Sequence, residues 1–145
     1  MRAVLIIDDA EEIRCAIRLV LENYRYEVSE ACNGREGLVL LRQATRPLVV
    51  LLDLMMPVMS GVEMLQELAK EPDVAARHVF VVCSAARAFE ADTLRMYLPS
   101  RPIFALPKPF DVEGLLGVIQ QATWEVERSV RLAEPHALAS ESAAG

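Results

Sequence analysis

Five short apolar segments, separated by stretches of helical periodicity, are the feature of this sequence that most restricts its fold. Four of the five lack the polar alternation of a half-solvated strand, which is typical of strands buried on both faces. Strand and helix patterns alternate, so we expect a (βα)5 chain with a parallel sheet covered by helices on both sides. The segments are Ala3–Ile7, Tyr26–Ser29, Leu48–Leu52, Val79–Cys83 and Ile103–Leu106.

Local signals mark several helix boundaries between these strands. Ser60 followed by Glu63 has the spacing of a capping box, and Asp111 stands where it can cap the last helix. The segment Ala85–Leu98 has the weakest helical pattern, because its apolar residues do not settle onto one face.

Composition excludes several classes of function. The chain has 145 residues, with 15 Lys and Arg against 21 Asp and Glu, giving a net charge of −6. An acidic chain of this kind is not expected to bind nucleic acid directly or to associate with anionic lipid. Charged residues interrupt every long apolar run, so no membrane span is expected, and the apolar run after Arg2 is too short for a secretory signal. We expect a cytoplasmic protein.

The length fits one domain, which we assign to residues 1–125. Residues 126–145 are interpreted as a helix extension followed by a disordered tail or linker, because apolar periodicity fades after Val126 and the end is rich in Ala and Ser. Cys15, Cys32 and Cys83 are odd in number and form no C-x-x-C pair, which favours reduced thiols over a disulfide or a zinc site.

Charged and hydroxyl side chains follow four of the five strand segments. Asp8 and Asp9 follow the first, Asp53 the third, Ser84 the fourth and Lys108 the fifth. The carboxyl ends of parallel strands meet at one edge of a sheet, so these residues are expected to converge there. Three carboxylates and one ammonium sum to −3 + 1 = −2, which favours a bound divalent cation, and an all-oxygen ligand set favours Mg²⁺.

In order and spacing these residues resemble the receiver domain of the response regulators of two-component signalling. The resemblance covers residues 1–125 and implies the flavodoxin-like receiver fold, with strand order 2-1-3-4-5. Five elements at strand ends in the correct order form a specific joint signal. The matching motifs are Val4–Asp9 (VLIIDD), Asp53–Gly61 (DLMMPVMSG), Ser84–Ala85 and Lys108–Phe110 (KPF).

The resemblance implies a phosphoryl-accepting switch rather than an enzyme, in which Asp53 receives the phosphoryl group from a histidine kinase or a histidine phosphotransfer protein. Mg²⁺ would be bound by Asp9 and Asp53, by Asp8 directly or through water, and by the backbone carbonyl of Met55. The downstream partner would be another protein or a covalently linked output domain. A homodimer through the fourth helix, fifth strand and fifth helix is a further arrangement that the resemblance implies.

The remaining roles also come from the resemblance. Ser84 and Lys108 would contact the transferred phosphoryl group, and the Lys108–Pro109 peptide bond would be cis. The positions that tune the lifetime of the phosphoryl group hold Met55 and Ala86, whose side chains cannot orient a hydrolytic water, so we expect slow self-dephosphorylation.

The sequence departs from the family pattern before the fifth-strand lysine. Ala105 stands where receivers usually carry an aromatic switch residue, and Phe104 is expected to point to the opposite face of the sheet. Pro99–Pro102 replaces the small residues usual before this strand, so an altered surface is expected there.

Three other functions remain open at this point. An aspartyl-nucleophile phosphatase of the haloacid dehalogenase type is disfavoured, because Met55 stands where that class needs a second Asp. A flavodoxin-like cofactor binder lacks a phosphate loop after the first strand. A receiver-like interaction module that works without phosphorylation would be expected to have lost a site residue.

Overall fold

The computed structural model describes residues 2–85 and 91–133. The strands are β1 (Ala3–Ile7), β2 (Glu27–Ala31), β3 (Val49–Asp53), β4 (Val79–Ser84) and β5 (Phe104–Pro107). They form one parallel sheet in the order β2-β1-β3-β4-β5, which confirms the predicted fold and topology. The helices are α1 (Glu11–Asn23), α2 (Gly34–Gln43), α3 (Gly61–Ala69), α4 (Pro72–Ala75), α5 (Ala91–Leu94) and α6 (Val112–Ala133).

The sheet separates two apolar layers, and this explains why the strand segments are apolar without alternation. In β1, Leu5 and Ile7 belong to the layer that packs against α2 and α3, whereas Val4 and Ile6 belong to the layer that packs against α1 and α6. All four side chains are buried. Burying each of them contributes about 1.5–3 kcal/mol, so the central strands are held from both sides.

The edge strand β2 differs from the others. It begins at Glu27 rather than at Tyr26 and continues to Ala31, with exposed and half-buried residues alternating up to Glu30. β3 and β4 each run one residue beyond the predicted segment, so Asp53 and Ser84 are the last residues of their strands rather than the first residues after them. The backbone positions of Asp53 and Ser84 are therefore set by the regular geometry of the sheet.

Both predicted capping signals are present. The Ser60 hydroxyl accepts a hydrogen bond from the Glu63 amide at 3.1 Å, and the Glu63 carboxylate accepts one from the Ser60 amide at 3.3 Å. The Asp111 carboxylate accepts a hydrogen bond from the Gly114 amide at 2.7 Å. These bonds satisfy amide groups that a helix start leaves unpaired.

The segment expected to form the weakest helix, Ala85–Leu98, contains the four-residue α5, and residues 86–90 lie outside the described part of the chain. α6 is continuous through residue 125, so the proposed domain boundary falls inside a helix. The predicted tail after Ala133 lies outside the described residues. Within residues 2–85 and 91–133, no helix is both long enough and apolar enough to cross a bilayer.

Candidate functional site

Asp53 ends the buried strand β3 and is itself only 6% exposed. One of its carboxylate oxygens, Oδ1, accepts a hydrogen bond from the Met55 amide at 3.1 Å. The following loop returns close to the strand: a Cβ atom at Gly61 would lie 2.5 Å from the Asp53 carbonyl oxygen, which only glycine avoids. The Gly61 amide donates to the Leu54 carbonyl at 3.2 Å. Tight backbone packing therefore holds Asp53 at the carboxyl edge of the sheet.

Asp8 and Asp9 follow β1, the strand beside β3. Asp8 is 4% exposed, and its Oδ1 accepts a hydrogen bond from the Ala10 amide at 2.9 Å, whereas Asp9 is exposed. The structure brings together the three carboxylates predicted from sequence, since one oxygen from each of Asp8, Asp9 and Asp53 lies within 4.8 Å of the others.

Lys108 supplies the positive charge of the cluster. Its Nζ lies 3.2 Å from Oδ2 of Asp8 and 3.6 Å from Oδ2 of Asp53, and its side chain is 20% exposed. The Lys108 amide donates to the Ser84 carbonyl at 3.0 Å, which joins the loop after β5 to the end of β4. The Lys108–Pro109 peptide bond is cis, as the resemblance implies.

Burial and charge act together on these groups. Burial raises the pKa of Asp53 above its ordinary value, and the neighbouring charges of Asp8 and Asp9 raise it further against the opposing effects of the Met55 amide and Lys108. Burial alone would lower the pKa of Lys108, but Asp8 and Asp53 outweigh it and raise that pKa. Lys108 therefore stays protonated between two carboxylates.

The donor set fits a hard divalent cation. Every side-chain ligand that the cluster offers is a carboxylate oxygen, and two of the three carboxylates are buried, where uncompensated negative charge is costly. The sequence prediction of a Mg²⁺ site from Asp8, Asp9 and Asp53 therefore agrees with the chemistry of the assembled residues. The Met55 carbonyl as a further ligand stays a prediction.

Ser84 ends β4 and is half-buried, one residue beyond Cys83, which pairs with Asp53 across the sheet. Ser84 therefore lies at the carboxyl edge of the sheet, as predicted from the sequence. The side chain of Met55 is 64% exposed beside the cluster. Ala86, the second residue assigned to tuning the lifetime of the phosphoryl group, lies outside the described residues.

Phe104 and Ala105 lie on opposite faces of β5, as the alternation of side chains along a strand predicts. Phe104 packs against the apolar layer beneath α1 and α6, whereas Ala105 is exposed. The position at which the resemblance implies an aromatic switch residue therefore has no ring here, and the neighbouring ring of Phe104 packs on the other side of the sheet.

Sequence reasoning missed one residue that touches the site. Arg14, on α1, donates from Nη1 to the Asp8 carbonyl at 2.6 Å and from Nε to Glu30 at 3.1 Å. A basic residue one turn into the first helix is a weak signal by itself, and its contact with Glu30 spans 16 residues of sequence.

A family model for the response regulator receiver domain matches residues 4–120. The chain belongs to this family. Receiver domains of this kind act in two-component systems, where they interact with histidine kinases and downstream targets. Protein PilH of Pseudomonas aeruginosa is 32% identical over 119 residues, which cover 82% of this chain and 95% of that protein.

Two further proteins are similar to this chain, and they differ in length. The chemotaxis protein CheY4 of Vibrio cholerae has a solved structure with a TM-score of 0.71 and 28% identity, covering 84% of this chain and 98% of that chain. A probable transcriptional regulator of Porphyra purpurea, ycf27, is 42% identical over 71 residues, which cover 49% of this chain and 29% of that protein. The receiver portion is thus shared with small proteins and with a much longer one.

Proposed function

We propose that this chain is a phosphoacceptor receiver that takes a phosphoryl group onto Asp53 and changes a partner-binding surface in response. One observation carries the proposal: a buried carboxylate at a strand end lies within 4.8 Å of two further carboxylates and 3.6 Å from the Lys108 ammonium. A purely structural role would give little reason to gather three acids in one place, because their repulsion destabilises the fold.

In the proposed transfer, a carboxylate oxygen of Asp53 attacks the phosphorus of a phosphohistidine in line with the leaving nitrogen. The oxygen–phosphorus bond forms as the phosphorus–nitrogen bond breaks, and the departing imidazole nitrogen keeps the bonding pair and takes a proton from solvent. Lys108 neutralises charge on the equatorial phosphoryl oxygens, and the Ser84 hydroxyl donates a hydrogen bond to one of them.

Asp8, Asp9, Asp53 and the Met55 carbonyl would hold Mg²⁺. When bound, the cation supplies charge neutralisation for the phosphoryl oxygens. The chain itself keeps the three carboxylates close together and keeps Lys108 protonated beside them.

Intact-mass measurement after incubation with Mg²⁺ and acetyl phosphate tests the proposal. We expect the wild-type protein to gain the mass of one phosphoryl group and Asp53→Asn to gain none, while Asp73→Asn, which changes an exposed Asp on α4, behaves like the wild type. The Asn variant should fold, since it removes a buried charge that its neighbours repel. A wild-type protein that stays unmodified would instead favour an interaction module that works without phosphorylation.

We also propose that the phosphoryl group is lost slowly, without a dedicated hydrolytic activity. Support comes from the exposed thioether side chain of Met55 beside Asp53, which cannot orient a water for attack. Decay of the phosphorylated protein, followed by intact mass after removal of the donor, should be slower in the wild type than in Met55→Asn or in Met55→Asn combined with Ala86→Glu. Faster decay in the wild type would refute this.

The partner surface is proposed to lie along α5, β5 and α6, which correspond to the fourth helix, fifth strand and fifth helix of the prediction. Ala105 is exposed on β5, and Trp124 on α6 is 53% exposed, which supports a protein contact there. The occupant would be a downstream protein, an output domain or a second copy of the chain, and not nucleic acid or membrane. Sedimentation of the wild-type protein with and without acetyl phosphate distinguishes a homodimer from the other two.

The proposed donor is a histidine kinase or a histidine phosphotransfer protein, and the proposed compartment is the cytoplasm. Cys15, Cys32 and Cys83 all carry unpaired thiols, which supports a reducing environment. Burial raises the pKa of Cys83 to about 12, so this thiol stays protonated and unreactive beside the site.

A further inference from the structure

The backbone of Asp8 is held from two directions. Its amide donates to the Ala31 carbonyl at the end of β2 at 3.1 Å, and its carbonyl accepts a hydrogen bond from Arg14 Nη1 at 2.6 Å. That carbonyl belongs to the planar peptide group joining Asp8 to Asp9. A donor fixed on this oxygen therefore fixes the orientation of the peptide group from which both acids extend.

Arg14 is itself fixed by Glu30, a half-buried residue of β2. Arg14 Nε donates to Glu30 Oε1 at 3.1 Å, and the Arg14 side chain is only 14% exposed. The planar guanidinium thus bridges the Asp8 carbonyl and a carboxylate that belongs to the regular sheet. Through this bridge the loop after β1 is tied to β2 by a side chain as well as by the backbone.

We propose that Arg14 is a positioning residue that holds the Asp8–Asp9 peptide group so that the two acids stay close to Asp53 before a cation binds. This inference rests on the proposed Mg²⁺-dependent function. The three carboxylates repel one another in the absence of a cation, and the loop that carries two of them would otherwise relax away from the third. A site kept assembled in this way binds its ligand more tightly, because ordering the loop no longer opposes binding.

Arg18, one turn further along α1, provides a matched control. Its Nε lies 2.9 Å from the other carboxylate oxygen of Glu30, in an ion pair without hydrogen-bond alignment, and its Nη2 donates to a strand carbonyl at 3.0 Å. That carbonyl belongs to Val28, away from the acids. Arg14 and Arg18 thus share a helix, a carboxylate partner and a carbonyl contact. They differ in which carbonyl they hold, and Arg18 also pairs with Glu22 at 3.6 Å and makes no hydrogen bond to Glu30.

The test is the Mg²⁺ dissociation constant of the wild type, Arg14→Ala and Arg18→Ala, measured by titration calorimetry under conditions where urea unfolding shows all three to be folded. Loss of an outer-sphere partner of this kind weakens metal binding by roughly 10–100-fold, so we expect at least about tenfold for Arg14→Ala. Arg18→Ala is expected to stay within about twofold of the wild type, since its carbonyl contact is not at the site.

Whether Arg14→Ala binds Mg²⁺ more weakly or more tightly distinguishes a positioning role of Arg14 from a purely electrostatic one. Removing a positive charge near a cation site should tighten Mg²⁺ binding, whereas loss of positioning should weaken it. Unchanged or tighter binding in Arg14→Ala would overturn the proposal. Equal weakening in both variants would also overturn it, because the effect would then come from general packing of α1 on β2.

A second readout needs no metal. The Ala10 amide donates to Asp8 Oδ1, so its hydrogen exchange in the metal-free protein reports whether the acid loop keeps its conformation. We expect protection of this amide to be lost in Arg14→Ala and retained in Arg18→Ala. If the wild type bound no Mg²⁺, the proposed function would fail, while this exchange comparison would still decide whether Arg14 holds the loop.

Discussion

The two ends of the sheet both bury titratable groups, but they do so in opposite ways. At the carboxyl end, Asp8 and Asp53 are 4% and 6% exposed, and the Lys108 ammonium lies between them. At the amino end, His78 is 1% exposed, and burial lowers its pKa from 6.5 to about 4, which leaves it neutral. Its Nδ1 accepts a hydrogen bond from the Leu48 amide at 3.1 Å.

The two ends differ in whether their buried titratable groups carry a charge that must be compensated. A neutral imidazole needs no counter-charge, and the unsatisfied polar atom it leaves is its Nε2, which is buried without a hydrogen-bond partner among the described residues. Several carboxylates with a single ammonium are not balanced in the same way, and the excess negative charge leaves this end suited to a cation, which would in turn offset the charge of a phosphoryl group. The charged groups that a stable core would avoid are thus kept at the end where chemistry is proposed.

The largest expected effect comes from breaking the charge pairing at the carboxyl end. Lys108→Ala removes the ammonium that neutralises the phosphoryl oxygens, so the rate of phosphorylation of Asp53 by acetyl phosphate should fall by about 10²-fold. Lys70→Ala is the control, because Lys70 is 71% exposed and pairs with Glu67 on the surface of the protein. Equal rates in the wild type and Lys108→Ala would show that Lys108 is not part of the transfer.

The neutral histidine at the amino end predicts a dependence of stability on pH. Between pH 6.5 and about 4 the unfolded chain binds a proton at His78 that the folded chain does not, so stability falls as the pH drops through this window. The loss attributable to His78 should be about 3 kcal/mol.

Urea unfolding of the wild type and His78→Asn at several pH values measures this contribution. The Asn side chain offers an oxygen in place of Nδ1 for the Leu48 amide, yet it does not titrate. The difference in stability between the two proteins should therefore change across the window. Parallel curves would mean that His78 does not titrate as its burial requires.

The two ends of the sheet also differ in how many of their residues and contacts could be predicted from the sequence. Asp8, Asp53 and Lys108 could be predicted because each stands at the carboxyl end of a buried apolar segment, and the carboxyl ends of parallel strands meet at one edge. The contacts of Arg14 and His78 could not, because Arg14 binds the Glu30 carboxylate across 16 residues and His78 accepts from the Leu48 amide across 30. Spacing along a strand or helix carries no information about such contacts.

β5 runs between the two ends of the sheet, and its adjacent residues Phe104 and Ala105 lie on opposite faces. Substituting each of them tests how much the Phe104 ring contributes to packing. Phe104→Ala should lower the free energy of unfolding by about 2 kcal/mol, since a partly buried ring against α6 is lost. Ala105→Tyr, on the exposed side of the strand, should change it by less than about 0.5 kcal/mol. Urea unfolding measures both values, and a larger effect at Ala105 would contradict the assignment of faces.

The smallest expected effect concerns backbone strain, which within residues 2–85 and 91–133 occurs at one non-glycine residue near each end of the sheet. Val58, in the loop after β3, has φ 69°, and Arg25, in the turn before β2, has φ 66°. A β-branched side chain tolerates this left-handed region less well than an unbranched one. Val58→Gly should therefore stabilise the fold by about 1 kcal/mol, after the greater freedom of glycine in the unfolded chain is taken into account.

Arg25→Gly is the matched change at the other end. Its effect should be less than about 0.5 kcal/mol, because the unbranched side chain is less strained and the glycine again adds freedom to the unfolded chain. Thermal or urea unfolding of the two variants measures the difference. Because Val58 is 67% exposed, little packing is lost on substitution. Any increase in the free energy of unfolding of Val58→Gly therefore reflects relief of backbone strain. A larger gain at Arg25 would mean that strain is not concentrated beside the acidic cluster, whereas a larger gain at Val58 would show that the loop following the acceptor is held in a conformation its own residue disfavours.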